Sequence, residues 1–289
     1  KTDTKQPLMR TNLPASKKQI PLILIVALLG GFCGSSTLAR AEVYSIVANP
    51  AEDCSTQMNI GWQADLGDTN CVVVYTTKAD TGWTHATTVR GKYERCDIFD
   101  EINSKTPAGA DWKEEAKFLD YGVTLSGLTP DTQYRFKVES SAAKQAVGTK
   151  DAAHYFKTAG AAEFSFVWIS DIHAYTPLPN RVKNANAVMA AAMKIDPSVD
   201  FVFSTGDVVA WGASYSFWKD LFTQPFARNY MFANLIGNHD WMARGGSGSS
   251  DYFRVAHHNP TNGYAGQEGV CYWFIYGDVL FLTFNNELM

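Results

Sequence analysis

The sequence predicts two domains in series, an all-β sandwich followed by an α/β domain, and three observations predict it. From about Glu42 to Thr158 the chain runs in short, regularly spaced alternating strands separated by turns. After Ala159-Gly160-Ala161-Ala162 the period changes, and apolar strands alternate with stretches of helical spacing. In that second part, three short polar motifs each follow an apolar run, spaced by about one β-α-β unit. A chain of 289 residues suits about two domains and is long enough to bury a sizeable core. The expected division is therefore 42–158 for the sandwich, 159–162 for a linker and 163–289 for the α/β domain.

Residues 1–41 read as an export signal. Lys17-Lys18 precede an apolar run of 14 residues from Ile20 to Cys33, and Ala39-Arg40-Ala41 supplies an A-x-A cleavage site. The run is shorter than the roughly 20 residues of a spanning helix, so cleavage after Ala41 is preferred over a retained anchor or a buried helix. No stable membrane span is expected after cleavage, which implies a secreted, periplasmic or cell-surface protein. The formal charge of −4 conceals an asymmetry, since these 41 residues hold six basic groups and one acidic group. The remainder, with 19 basic and 28 acidic residues, carries −9. A body that acidic is not expected to present a nucleic-acid binding surface. Export would place Cys54, Cys71, Cys96 and Cys271 in an oxidising compartment. Cys54 with Cys96 is the preferred pairing, because Cys71 opens an apolar strand, and four free buried thiols are the alternative.

Within the sandwich, Met58 to Trp62 alternates with period two, and Cys71 to Thr77 is a β-branched run. Thr132 to Val138 sets Tyr134, Phe136 and Val138 on one face and Gln133, Arg135 and Lys137 on the other. Leu128-Thr129-Pro130-Asp131-Thr132-Gln133-Tyr134 resembles the corner of fibronectin type III domains, in which a tyrosine hydroxyl bonds back to upstream backbone. Asp80 to Asp120 is polar and reads as long loops or edge strands, with Trp83, Tyr93 and Trp112 as satellite-core aromatics.

In the second domain, Phe164 to Ser170, Phe201 to Thr205 and Met231 to Ile236 read as strands. Val182, Ala185, Met189, Ala192 and Met193 repeat at helical spacing until Pro197, and Ser214 to Phe222 is a second helix. Cys271 to Tyr276 and Val279 to Phe284 flank Gly277-Asp278, a two-residue hairpin turn. Turn chemistry accounts for this Gly-Asp and for Gly67-Asp68 alike. Adjacent His257-His258 before Asn259-Pro260 read as an exposed loop, and His85 and His154 as surface or strand residues of the sandwich.

Each of the three strands is followed by a motif: Asp171-Ile172-His173, Gly206-Asp207 and Gly237-Asn238-His239-Asp240. The separations, 36 residues from Asp171 to Asp207 and 31 from Asp207 to Asn238, bring all three to one sheet edge, where open α/β sheets bind ligands. Carboxylates, an imidazole and an amide oxygen gathered there describe two divalent metal ions. Two metals roughly 3.5 to 4 Å apart make a bound water acidic and clamp phosphoryl oxygens, which is the chemistry of phosphate ester hydrolysis. Asp171 and His173, alternating along an extended segment, would face one metal, Asp207 would bridge and Asn238 would hold the other. His239 is read as proton donor or phosphate contact, with Asp240 orienting or charging it. Trp211, Trp241 and Tyr252 follow these motifs and are read first as core and second as substrate-stacking rings.

The motifs D-x-H, G-D and G-N-H-D resemble those of the calcineurin-like metallophosphoesterases. With a fibronectin-like domain in front, the chain resembles their purple acid phosphatase branch. The resemblance implies a four-layer α/β/β/α phosphatase domain, incomplete here, with metal roles for Asp171, His173, Asp207 and Asn238 and catalytic roles for His239 and Asp240. It implies two divalent ions (Mn, Zn, Fe or Mg) and a small phosphorylated substrate, phosphomonoesters ahead of phosphodiesters. Ferric enzymes of that branch use D-x-G and G-D-x-x-Y, whereas His173 and Ala210 occupy those positions, which argues for a colourless centre. The family's further histidines, a lone one and a G-H-x-H, fall beyond Met289, so a fragment or truncated product lacking at least three ligands is expected. Two functions are consistent with this: an exported phosphoric ester hydrolase acting through a metal-activated hydroxide, or an inactive phosphatase-derived chain serving as a binding module. No G-x-S-x-G is present to support a serine hydrolase.

Overall fold

The structure, a computed structural model, describes residues 42–100, 114–140, 153–161, 163–243 and 248–286. The export reading of residues 1–41, Cys33, Trp112 and Ala162 lie outside them.

The first domain is a sandwich of eight strands: β1 (Val43–Asn49), β2 (Gln57–Ala64), β3 (Cys71–Thr77), β4 (Thr87–Arg90), β5 (Lys92–Asp100), β6 (Glu114–Ser126), β7 (Gln133–Ser140) and β8 (His154–Lys157). They form two antiparallel sheets, ordered β1-β2-β6-β5 and β4-β3-β7-β8. The strand alternation of β7 is realised, with Tyr134, Phe136 and Val138 buried. The tyrosine corner is also present, as the Thr129 N–H donates to the Tyr134 hydroxyl at 2.9 Å. The polar stretch after Asp80 yields β4, β5 and the start of β6, which pair as ladders despite their weak alternation. Trp83 packs there under the Arg135 guanidinium, 4.0 Å from its ring.

Strand β2 departs from simple alternation, being buried along both faces. Its second face meets the other domain: the Gln63 amide donates to the Val255 carbonyl, and a Cβ on Gly61 would reach 3.0 Å from that of His258. The expected Cys54–Cys96 disulfide is not formed, and among the described residues Cys54, Cys71, Cys96 and Cys271 are in no disulfide. Cys54 points into the junction between domains instead, with its sulfur 3.8 Å from that of Met231.

The second domain has a parallel sheet of β9 (Phe166–Ile169), β10 (Phe201–Ser204) and β11 (Met231–Asn234), ordered β11-β10-β9. It carries helices α1 (Asn180–Ile195), α2 (Tyr215–Phe222), α3 (Pro225–Asn229), α4 (Asn238–Trp241) and α5 (Asp251–Ala256). A hairpin of β12 (Tyr272–Tyr276) and β13 (Val279–Thr283) turns at Gly277, whose φ of 59° suits glycine. The sheet is covered on both faces, which explains its nearly continuous apolar runs. Val202 and Phe232 pack with Val182, Met189, Trp218 and Leu221 of the helices. Phe201, Met231 and Ala233 pack on the opposite face with Tyr272 and Phe274 of the hairpin and with Met58, Phe136 and Phe156 of the sandwich. The two domains thus share one hydrophobic core. Polar bonds reinforce it: Asn49 donates to the Phe232 carbonyl at 2.8 Å and accepts the His258 N–H at 2.8 Å. The residues after β8 are also fixed, with Ala159 bonded through its N–H to Cys54 O and through its carbonyl to Asp131 N.

Candidate metal centre

The three parallel strands lie in register, Ile169 beside Ser204 and Ser204 beside Asn234, so they end at one level. Asp171, Asp207 and Asn238 come within four residues of those ends. The extended alternation expected of Asp171 and His173 is replaced by left-handed backbone, with φ of 58° at Asp171, 48° at His173 and 55° at Asp207. Such conformations cost on the order of 1–3 kcal/mol each and persist where the surroundings fix them. Here the fixing is a ladder that continues past the sheet: Asp171 N–H to Gly206 O, His173 N–H to Asp207 O, and Ala174 N–H to Val208 O.

Two glycines let the second and third motifs touch. A Cβ on Gly206 would lie 2.6 Å from Gly237 N, and one on Gly237 would lie 2.2 Å from the Asp207 carboxylate. Asp240, fully buried, ties the same two loops from inside. Its Oδ2 accepts N–H bonds from Asp207 (2.8 Å) and Gly237 (3.0 Å), and its Oδ1 accepts from Val208 (3.0 Å) and Val209 (3.1 Å). Burial pushes its pKa up to about 7, while the N–H bonds pull it down.

His173, Asp207 and His239 converge, with one ligand atom of each within 4.8 Å of the others. The Asp207 Oδ1 accepts the His239 N–H at 2.8 Å, and its Oδ2 lies 3.9 Å from His173 Nε2. Asp171, largely exposed, places Oδ1 3.5 Å from the same His173 nitrogen, and its Oδ2 accepts the Ser170 hydroxyl at 2.5 Å. Donors bound to one ion at about 2.0–2.2 Å can stand no more than roughly 4.4 Å apart. The His173 pairs with Asp171 and Asp207 meet that limit, so these donors fit a shared divalent ion. Burial and the neighbouring His239 lower the pKa of His173, which favours the neutral imidazole that a metal requires.

The His239 ring stands edge-on to that of His173, with centroids 4.4 Å apart. Its Nδ1 lies 2.7 Å from the Ala210 carbonyl, which holds a proton on Nδ1 and leaves Nε2 free. The support expected from Asp240 takes another form, since the carboxylate goes to four main-chain donors and the ring to Ala210. Asn238, exposed, opens α4 directly after Gly237. His257 and His258 are not in an exposed loop: His257 is buried and His258 half-buried, and His257 is ringed by Trp218, Phe222 and Phe253. Trp211 packs on His239 at 5.4 Å, and Trp241 lies where a Cβ on Gly248 would meet it. Sequence reading passed over Arg181, in the first turn of α1, whose Nη1 donates to the His173 carbonyl at 3.4 Å. A basic side chain eight residues past the D-x-H motif is the signal that was available.

Family models match on both sides of the junction. Residues 43–158 match the purple acid phosphatase N-terminal domain, and residues 164–287 match the calcineurin-like phosphoesterases. Among solved structures, the chain is similar to purple acid phosphatase PPD1 from yellow lupin (Lupinus luteus) seeds, at 15% identity and a TM-score of 0.59, over 83% of this chain and 44% of that one. The chain therefore spans less than half of that protein's length. The structure of PhoD matches at 12% identity and a TM-score of 0.42, over 82% of this chain and 50% of that one. No curated protein matches. Over the fold and the motif geometry described above, the two adjoining matches give the chain a region of the purple acid phosphatase N-terminal type followed by one of the calcineurin-like phosphoesterase type.

Proposed function

We propose that the protein is an exported, metal-dependent phosphoric ester hydrolase acting on phosphomonoesters ahead of phosphodiesters. The observation that carries the reading is the convergence of His173, Asp207 and His239 within 4.8 Å at the ends of three adjacent parallel strands. Asp171, His173, Asp207 and Asn238 would hold two divalent ions, with Asp207, at the middle strand, as the shared ligand. Such ions, when bound, supply Lewis-acid chemistry: they neutralise phosphoryl oxygens and acidify water. The remaining work falls to the protein's own groups. His239, with Nδ1–H committed to the Ala210 carbonyl, presents Nε2 to the ester; as the imidazolium it would pass the Nε2 proton to the departing alkoxide and be left as the neutral ring, which water reprotonates for the next cycle. Asp240 acts as a positioning residue, because the loops it joins carry Asp207 and His239. The sandwich braces β11 through Asn49 and thereby the motif that succeeds it.

The test is turnover of p-nitrophenyl phosphate and its bis ester after addition of Mn or Zn, with metal binding measured by calorimetry. Metal-dependent cleavage of the monoester, lost in Asp207→Ala, is the expected result. A folded, metal-binding protein that cleaves neither ester would instead favour the noncatalytic binding module.

A further inference from the structure

We propose that the groove between the end of β9 and helix α1 is the leaving-group subsite, and that it selects phosphate esters of apolar, ring-bearing alcohols. This rests on the hydrolase reading and names its substrate class. The groove has a volume of about 490 Å³, within the range of small-molecule sites, and one end is formed by Asp171 and His173 themselves. An ester whose phosphoryl group reached those residues would therefore have its alcohol enter the same groove.

The wall opposite is a single stripe of α1: Arg181, Asn184, Ala185, Val188 and Met189 recur at spacings of three and four. The stripe is graded. Arg181 and Asn184 stand at the N-terminal turns, and Arg181 is held near His173 by its bond to that carbonyl and by packing over the Tyr175 ring, 5.5 Å away. A planar guanidinium there suits an oxygen of a phosphate dianion. Further along the helix the polar groups end, and Ala185, Val188 and Met189 face Ile169 and Ile172 across the groove. Val188 is 66% exposed. A scattered exposed valine needs no explanation, but one set in a concave apolar wall that begins at the metal ligands is placed to be covered by a ligand. A sugar or glycerol moiety would lose water along that wall without gaining partners, whereas an aromatic ring would gain contact.

The test compares kcat/KM for 1-naphthyl phosphate and glycerol 2-phosphate on the Mn-loaded full chain. The naphthyl-to-glycerol ratio is expected to fall about tenfold in Val188→Asp, an exposed position where the change does not threaten folding. Lys183→Gln, on the far face of α1, makes the same charge change and is expected to leave the ratio as in the parent. An unchanged ratio in Val188→Asp, or an equal fall in Lys183→Gln, overturns the proposal. If neither ester is cleaved, the hydrolase reading fails separately. The groove is then judged by 1-naphthyl phosphate binding, read from its fluorescence: about tenfold weaker binding to Val188→Asp supports the subsite and equal binding refutes it.

Discussion

Asp240 has four main-chain N–H bonds and no bond to the ring it was expected to orient, so its replacement is a question of structure before chemistry. Asparagine has one acceptor oxygen, which leaves two of the four donors facing an amide NH₂. Unmet buried donors cost about 1–3 kcal/mol each, so Asp240→Asn is expected to lose about 3 kcal/mol in urea denaturation and to bind Mn more weakly. Asp207→Asn makes the informative contrast. It keeps an oxygen for the His239 N–H, so stability should change by less than about 1 kcal/mol, while calorimetry should show metal binding lost. At this scale the motifs announced the participants but not their tasks. D-x-H, G-D and G-N-H-D contain His173, Asp207 and His239, which converge at the sheet edge, but not Arg181, which joins them there. The division of labour between Asp240 and Ala210 depends on main-chain groups more than 25 residues away, and the left-handed backbone at Asp171, His173 and Asp207 violates the propensity rules that sequence reading applies.

The segment leaving α5 shows how a packed element can disguise itself as a loop. His257 and His258 precede Asn259-Pro260, which read as exposed turn chemistry, yet His257 sits in an aromatic cage. Its Nδ1 lies 3.0 Å from the Phe253 carbonyl and its Nε2 3.4 Å from the Asn234 amide nitrogen, a pattern satisfied by the neutral ring. Burial drives its pKa down to about 4. A histidine depressed in the folded state supports the fold fully above its unfolded pKa of about 6.5, and that support is lost as pH falls towards 4. The loss amounts to about 3 kcal/mol for the interval, and His258, also lowered by burial, acts in the same direction. Because the raised carboxyl of Asp240 acts in the opposite sense over the same interval, the histidine is isolated by comparison: the stability advantage of the parent over His257→Phe, read from urea midpoints, should be smaller at pH 4.5 than at pH 7. Elements with strong periodicity, β7 and the β12–β13 hairpin among them, were legible in advance. Strands β4 and β5 were foreseen only as loops or edge strands; both do lie at sheet edges, and their partners, rather than their own alternation, hold them in place.

At the scale of the molecule, the sandwich and the phosphoesterase domain behave as one body because Phe136 and Phe156 of one and Phe201 and Tyr272 of the other belong to a single core. Calorimetry should show one cooperative transition spanning both, and two resolved transitions would refute the shared core. The junction is also closely fitted. A Cβ on Gly122 would come 1.9 Å from the His258 ring, so Gly122→Ala is expected to cost about 1–3 kcal/mol by overpacking, seen as a lower Tm of that same transition. The sequence pointed to two domains by their different periods, but a period reports one element's faces and says nothing of which domain covers them. The double burial of β2 was for that reason illegible. Asn49 limits how this protein could be rebuilt. It lies in a sandwich strand, yet it grips both the Phe232 carbonyl in β11 and the chain at His258. The sandwich is accordingly no detachable tag that can be exchanged for another eight-stranded module. A graft that lacked this one amide would leave β11 without its brace, and the protein engineer would meet the loss at Asn238 and His239, on the far side of the domain boundary.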